Sequence, residues 1–136
     1  MRALVTGGAG FIGSNLVDKL IEKGWGVIVL DDLSTGKKEN INTNAKFYNV
    51  DISTMTDLGR TNKNVFRLFE GIDIVFHLAA KARVQPSIVD PVSFNKVNVQ
   101  GTLNVLLASH NAGVKRVVYS ASSSAYGNAT KFPTPE

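Results

Sequence analysis

Eight residues near the N-terminus constrain this chain more than any others: Thr6-Gly7-Gly8-Ala9-Gly10-Phe11-Ile12-Gly13, directly after the apolar run Ala3-Leu4-Val5. A strand that stops at clustered glycines and restarts as an amphipathic helix lets bare backbone approach a ligand closely. The N–H groups of the helix's first turn then point at that ligand, a common protein device for holding a pyrophosphate. The string contains both Gly8-x-Gly10-x-x-Gly13 and Gly7-x-x-Gly10-x-x-Gly13. Such a spacing taken alone is weak evidence, so its flanks decide.

The flanks fit. From Phe11 to Lys23, Ile12, Leu16 and Leu20 fall four apart, with Val17 and Ile21 widening the stripe. That is one apolar helix face, closed by Gly24 as a C-terminal cap. Val27-Ile28-Val29-Leu30 reads as a strand buried on both faces, the pattern of a parallel sheet. It runs into Asp31-Asp32, with Asp31 eighteen residues beyond Gly13. Strand, glycine loop, helix, strand and acid in that order turn a weak motif into a dinucleotide site. Asp31 is placed to accept hydrogen bonds from the ribose hydroxyls of an adenosine. A 2′-phosphate there would meet a carboxylate, which favours NAD over NADP, although Lys37 and Lys38 would offset part of that repulsion. An Asp that only capped a turn would look the same in sequence.

Composition narrows the class without choosing a function. With 136 residues, one domain with a core of its own is expected. The chain has no cysteine and two histidines, which excludes disulfides, thiolate metal sites and a Cys nucleophile and disfavours a His-based metal site. The sequence shows no signal peptide and no apolar stretch of spanning length, so a cytoplasmic location is expected. The net charge of +4 comes without a basic stripe interleaved with aromatics, so nucleic acid is disfavoured and an anionic small ligand explains the excess equally well.

Further along, Leu33-Ser34-Thr35-Gly36 is a loop, and Lys46 to Val50 a third strand ending in Asp51-Ile52. Asp51 sits where it would reach an adenine amino group, or where it would merely close the next turn. Ser53 to Phe69 reads as a weaker helix with an irregular start around Gly59, ended by Gly71. Asp73 to Ala80 is a fourth buried strand running into small residues, as a flat ring lying across the sheet would need, or as tight helix packing would. His77, alone beside an apolar strand, reads as a satisfied structural group. Asp90-Pro91 starts a helix that runs to about Ala112, with Phe94, Val97, Gly101, Val105, Ala108 and Ala112 on one side and Gly113 ending it. Arg116 to Tyr119 is a fifth strand, followed by Ser120-Ala121-Ser122-Ser123-Ser124-Ala125-Tyr126-Gly127 and a polar loop. Strands alternating with helices give an α/β fold, a Rossmann-type parallel sheet with helices on both faces and strand order 3-2-1-4-5, with the ligand in the crevice between strands 1 and 4.

These separated motifs resemble the NAD-dependent epimerase/dehydratase family, the extended short-chain dehydrogenase/reductases, and within it the UDP-sugar 4-epimerases. The pieces are the glycine string, Asp31-Asp32-Leu33-Ser34-Thr35-Gly36, Asp51-Ile52, His77-Leu78-Ala79-Ala80, Asn98-Val99-Gln100-Gly101-Thr102 and the serine segment ending in Tyr126-Gly127. The resemblance implies NAD as cofactor. Gly7, Gly10 and Gly13 would form the cradle, Phe11 and Ile12 would present amides to the pyrophosphate, and Asp31, Asp32, Leu33, Ser34, Thr35 and Gly36 would surround the adenosine ribose. Asp51 and Ile52 would flank the adenine. Leu78, Ala79, Ala80, Lys81 and Ala82 would line the nicotinamide side, with Val97, Asn98, Ser120 and Ala121 completing the cofactor site. Ser122 matches the serine that hydrogen-bonds the reacting sugar hydroxyl, and Ser123, Ser124 and Arg83 would face the UDP-sugar substrate. No metal is implied.

In the family's epimerases a Tyr base removes the proton of the sugar 4-hydroxyl while C4 passes hydride to NAD; the keto-sugar turns over and the hydride returns to its other face. A lysine four residues after that tyrosine lowers its pKa. Here the residues four beyond the tyrosines are Ile52, Ser123 and Thr130, and Lys131 lies five beyond Tyr126. The resemblance places the Tyr-x-x-x-Lys pair and the UDP-sugar lobe beyond Glu136. The expectation is therefore a single domain over 1–136, truncated relative to the family. It would bind NAD, be inactive as an isolated chain, and associate as a homodimer or with a chain supplying the C-terminal half. A non-catalytic NAD-binding module or sensor is the alternative, and a short-chain reductase using another acid the third. Sugar 4,6-dehydratases carry an acid two residues before the Tyr-Gly, where this chain has Ser124, which disfavours that chemistry. The three-serine run looks more like epimerases that handle UDP-N-acetylhexosamines.

Overall fold

In β1 (Arg2–Thr6) and β2 (Gly26–Asp31) every residue after the first is buried. Strands with two buried faces belong inside a sheet covered on both sides. Alternation divides them: Leu4, Ile28 and Leu30 join one core cluster, and Ala3, Val5, Val27 and Val29 join the other. The computed structural model, which describes residues 1–55, 63–128, 130, 131 and 133, completes that sheet. With β3 (Lys46–Asn49), β4 (Ile74–His77) and β5 (Arg116–Tyr119) it has five parallel strands in the order β3-β2-β1-β4-β5, as expected from the sequence.

The helices are α1 (Phe11–Glu22), α2 (Lys63–Phe66), α3 (Val84–Val89), α4 (Pro91–Asn95) and α5 (Thr102–Asn111). On one face of the sheet α1 buries Val17 and Leu20. On the other, Val105 and Ala108 of α5 meet Phe69, Ile72 and Val75. The glycine caps take the form the sequence implies. Gly24 has φ +77°, its N–H donates to the Ile21 carbonyl at 2.8 Å, and Trp25 N–H donates to Leu20 at 3.0 Å. Gly113 repeats this pair of bonds onto His110 and Ser109.

Two local expectations change, and one element is new. The helix expected over 53–69 is a 3-10 turn at Ile52–Thr54, then α2 running into a second 3-10 turn at Arg67–Phe69; Gly59 lies outside the described residues. The helix expected from Asp90 to Ala112 is continuous but wound in three stretches of two kinds. A π-helical turn over Lys96–Gly101 separates α4 from α5. At that turn Thr102 Oγ1 donates to the Asn98 carbonyl at 2.7 Å, a side-chain bond that competes with the regular ladder. Finally, α3 is a helix in a stretch to which the sequence patterns assign no element; its Pro86 sits in the first turn, where no intrahelical N–H is needed.

Candidate functional site

A cleft of about 340 Å³ opens at the carboxyl ends of β1, β2 and β4. It lies where the strand order reverses, the place where open α/β sheets bind ligands. Its floor is the glycine loop. Gly7 has φ +73°, and a Cβ there would lie 2.7 Å from the Ala79 nitrogen. A Cβ on Gly13 would overlap the Gly7 carbonyl oxygen and come within 2.8 Å of Gly8 Cα. Both contacts are with backbone, so only glycine fits. Gly10 is the N-cap of α1 and supplies no side-chain cap, leaving the first-turn amides to whatever enters the cleft. Phe11 and Ile12 are 84% and 65% exposed at the rim. Ile12 therefore departs from the apolar stripe that its spacing suggests, because the first turn of α1 overhangs the cleft rather than the sheet.

At the β2 end of the cleft the acids are already engaged. Asp31 is buried, and its two oxygens accept from Ala9 N–H at 2.9 Å and Leu33 N–H at 2.8 Å. Leu33 itself adopts φ +59°. Asp32 accepts from Ser34 N–H at 2.9 Å and from its hydroxyl at 2.6 Å. Asp51 caps the turn at Ile52–Thr54 through Ser53 N–H at 2.8 Å and also lines the cleft. Asp31 likewise both fixes a turn and faces the cleft. Ser34, Thr35, Gly36 and Ile52 complete this end. Leu30 and Val50 line it as well, although the sequence did not single them out. Their signal is positional: Leu30 and Val50 immediately precede the strand-end acids Asp31 and Asp51.

The opposite end is walled by Leu78, Ala79, Ala80, Lys81, Val97 and Ser120. Lys81 Nζ donates to Ser93 Oγ at 2.8 Å and lies 5.8 Å from the Phe94 ring centre. Asn98 does not line the cleft; its side chain holds the Lys81 backbone from both sides, accepting from its N–H at 2.8 Å and donating to its carbonyl at 2.9 Å. Leu33 and Ala121 also lie off the lining, and so does Ser122, whose carbonyl accepts from Ala125 N–H at 3.1 Å. Arg83, at φ +83°, lies in a shallow depression next to the cleft with Phe94, Asn98 and Val99. The side chains of Ser123 and Ser124 fall outside the described residues.

His77 is buried and doubly hydrogen-bonded, to Thr6 and to Thr102. Burial disfavours its charged form and pushes its pKa down to about 4. Among the described residues no group of three or more His, Cys, Asp or Glu is arranged to hold a metal, and no helix is long and apolar enough to cross a membrane.

Comparison with known proteins places these features in company. The family model for the NAD dependent epimerase/dehydratase family matches residues 3–136. The UDP-glucose 4-epimerase of Mycolicibacterium smegmatis is 42% identical over 139 residues, covering 100% of this chain and 44% of that protein. The crystal structure of UDP-glucose 4-epimerase with UDP-glucose from Thermotoga maritima superposes with a TM-score of 0.88 at 47% identity, covering 99% of this chain and 43% of the other. That of the Thermus thermophilus UDP-glucose 4-epimerase in complex with NAD gives 0.79 at 37% identity, covering 99% and 44%. The chain thus spans about two fifths of the length of the relatives it matches.

Proposed function

Because the chain belongs to the NAD-dependent epimerase/dehydratase family, we propose that its cleft holds NAD and forms the cofactor-binding part of a nucleotide-sugar 4-epimerase. The observation that carries the proposal is the glycine cradle. Side chains at Gly7 and Gly13 would collide with backbone, and α1 begins with uncapped amides at that point. A floor of bare backbone facing free donors suits a pyrophosphate and little else. From there the cleft runs two ways. Toward β2, Asp31 and Asp32 offer carboxylate oxygens to ribose hydroxyls while Val50 and Ile52 offer apolar surface to an adenine. Toward β4, Ala79, Ala80 and Val97 leave room for a flat ring, with Ser120 at its far side. When bound there, NAD would supply a hydride acceptor for a sugar carbon, and the chain's own groups would orient it.

Calorimetry with NAD and NADP tests this. Binding of NAD, with NADP weaker because its 2′-phosphate meets Asp31 and Asp32, is expected; no heat with either overturns the proposal. A UDP-sugar substrate and a cytoplasmic location belong to the same proposal, as does association as a homodimer or with a chain carrying the C-terminal half. In its support, Val118 and Tyr119 on the β5 edge and Leu103, Leu106 and Leu107 on α5 are exposed apolar residues. A monomeric mass by light scattering would count against association.

A second reading is a non-catalytic NAD-binding module, in which the same cleft holds the cofactor without turnover. Mixing the NAD-loaded protein with a UDP-hexose separates the two. Absorbance of reduced NAD indicates oxidation at C4, and its absence supports the binding module.

A further inference from the structure

A buried polar chain runs behind the cleft, and the cofactor reading makes no use of it. His77, at the end of β4, is 1% exposed. Its Nδ1 lies 2.7 Å from Thr6 Oγ1 and its Nε2 lies 2.9 Å from Thr102 Oγ1. Tyr119 of β5 stacks on the ring with centroids 5.5 Å apart.

The direction of each bond follows from counting protons. A threonine hydroxyl has one to give, and Thr102 gives it to the Asn98 carbonyl, which can only accept. Toward His77, Thr102 must accept, so the proton sits on Nε2. The neutral ring then offers Nδ1 as an acceptor, and Thr6 donates to it. The Thr6 oxygen in turn accepts from Ala79 N–H at 3.2 Å. Every donor meets an acceptor. The other tautomer would leave Nε2 facing a hydroxyl whose proton is already spent. A charged ring would strip the Thr6 proton of its acceptor, in a place where an unmade bond is costly.

The chain continues to the cleft wall through Asn98, whose side chain holds the Lys81 backbone by two bonds. We propose that His77 is a positioning residue: as the Nε2-protonated imidazole it ties Thr6, the root of the glycine loop, through Thr102 and Asn98 to the Lys81 wall, and so fixes the end of the cleft away from the acids. This rests on the NAD reading in one respect, that the nicotinamide ring would occupy that end. Asp31, Asp32 and Asp51 at the adenosine end lie outside the chain of bonds, and a change at Thr102 leaves Thr6 itself and the glycine loop unaltered.

Thr102→Val deletes the hydroxyl at nearly constant shape, and Thr102→Ser restores it. Binding is measured by calorimetry with NAD and with ADP-ribose, which shares the adenosine and pyrophosphate but lacks the nicotinamide ring. Thr102→Val is expected to bind ADP-ribose as the unaltered chain does and NAD roughly tenfold more weakly, as for one lost hydrogen bond, with Thr102→Ser recovering most of the NAD affinity. Equal losses for both ligands, or none for either, overturn the proposal. If the unaltered chain binds neither ligand, the NAD reading fails. The positioning role is then decided by nitrogen NMR and hydrogen exchange. An Nε2-protonated neutral His77 and faster exchange of the Lys81 amide in Thr102→Val support it. An Nδ1-protonated or charged ring at neutral pH, or unchanged Lys81 exchange, overturns it. The spectrum of the unaltered chain serves even if Thr102→Val does not fold.

Discussion

The β2 side of the cleft and the β5 side are made by opposite means. On the β2 side the strand is buried on both faces, and each acid is locked by backbone donors: Asp31 by Ala9 and Leu33, Asp32 by Ser34, Asp51 by Ser53. The loop after β2 is tied back to the glycine loop at one carbonyl, that of Ala9, by Lys37 N–H at 3.1 Å and Asn40 Nδ2 at 3.0 Å. On the β5 side Arg116, Val118 and Tyr119 are exposed, and Ser120 to Ser122 continue exposed. What holds that wall is a file of side chains running through His77 and Asn98. The difference teaches that the two ends of one cleft are held by separable means, backbone donors at one and side chains at the other. The end that would recognise an adenosine is preorganised by the backbone, whereas the end that would face a reacting sugar depends on a few side chains and an open edge.

The comparison breaks most completely at its centre. In Gly13→Ala the new methyl meets the Gly7 carbonyl and Gly8 Cα, neither of which can yield as a flexible side chain would. A loss of about 3 kcal/mol or more in a urea melt is expected, as for severe overpacking, together with loss of NAD binding. Gly113→Ala is the control. Its φ is +67° but nothing lies within 4 Å of the added methyl, so it should cost only about 1 kcal/mol for the left-handed backbone.

That contrast also shows how far the sequence could be read. The strand–loop–helix–strand start was legible because each piece rests on local rules: two-faced apolar strands, a helix stripe, and glycines where the chain reverses hand. Gly24 and Gly113 were found by the same rules. The π turn was not legible, because Phe94, Val97, Gly101, Val105 and Ala108 keep steps of three and four that an α-helix shares. The Thr102 bond to Asn98 that accompanies it leaves no trace in periodicity. The exposure of Ile12 was hidden for a related reason, since spacing reports a face but not where the sheet ends. In the site, residue types at strand ends located Asp31 and Asp51, but not that backbone amides already hold both carboxylates, which requires knowing how the following loop folds back. The resemblance puts Asn98 beside the cofactor, whereas its hold on the Lys81 backbone depends on tertiary contact.

Acid should discriminate between the two sides next. His77 has its pKa pushed down from 6.5 to about 4 by burial. Between those values the unfolded chain binds the proton and the folded chain does not, so stability is full above about pH 6.5 and falls as pH drops toward 4. The linked loss is on the order of 3 kcal/mol. Urea melts across that window should show the slope in the unaltered chain and lose most of it in His77→Gln. Equal slopes in both proteins would mean that the ring is solvated and the β4–β5 wall looser than described.

On the β2 side, Asp31→Ala removes the acceptor of two amides, and the cost should be about 2 kcal/mol in the same assay. NAD affinity falls with it. Asp31→Ser shortens the carboxylate to a hydroxyl, removes the charge, and should narrow the preference for NAD over NADP. Unchanged stability in Asp31→Ala would mean that water replaces the carboxylate freely, and the preorganisation argued for this end would be lost.

The smallest effect tests the open side. Val118 is 43% exposed on the edge strand β5, so Val118→Ala in a free monomer should change stability by less than about 0.5 kcal/mol. The prediction becomes informative when melts are repeated at low and high protein concentration. If the β5 edge meets a second copy, the unaltered chain gains stability with concentration by mass action, and Val118→Ala weakens that gain without altering the dilute limit. If the edge stays in water, both proteins melt alike at every concentration. The β5 side would then be a free surface, and the asymmetry between the two ends of the cleft would belong to the single chain.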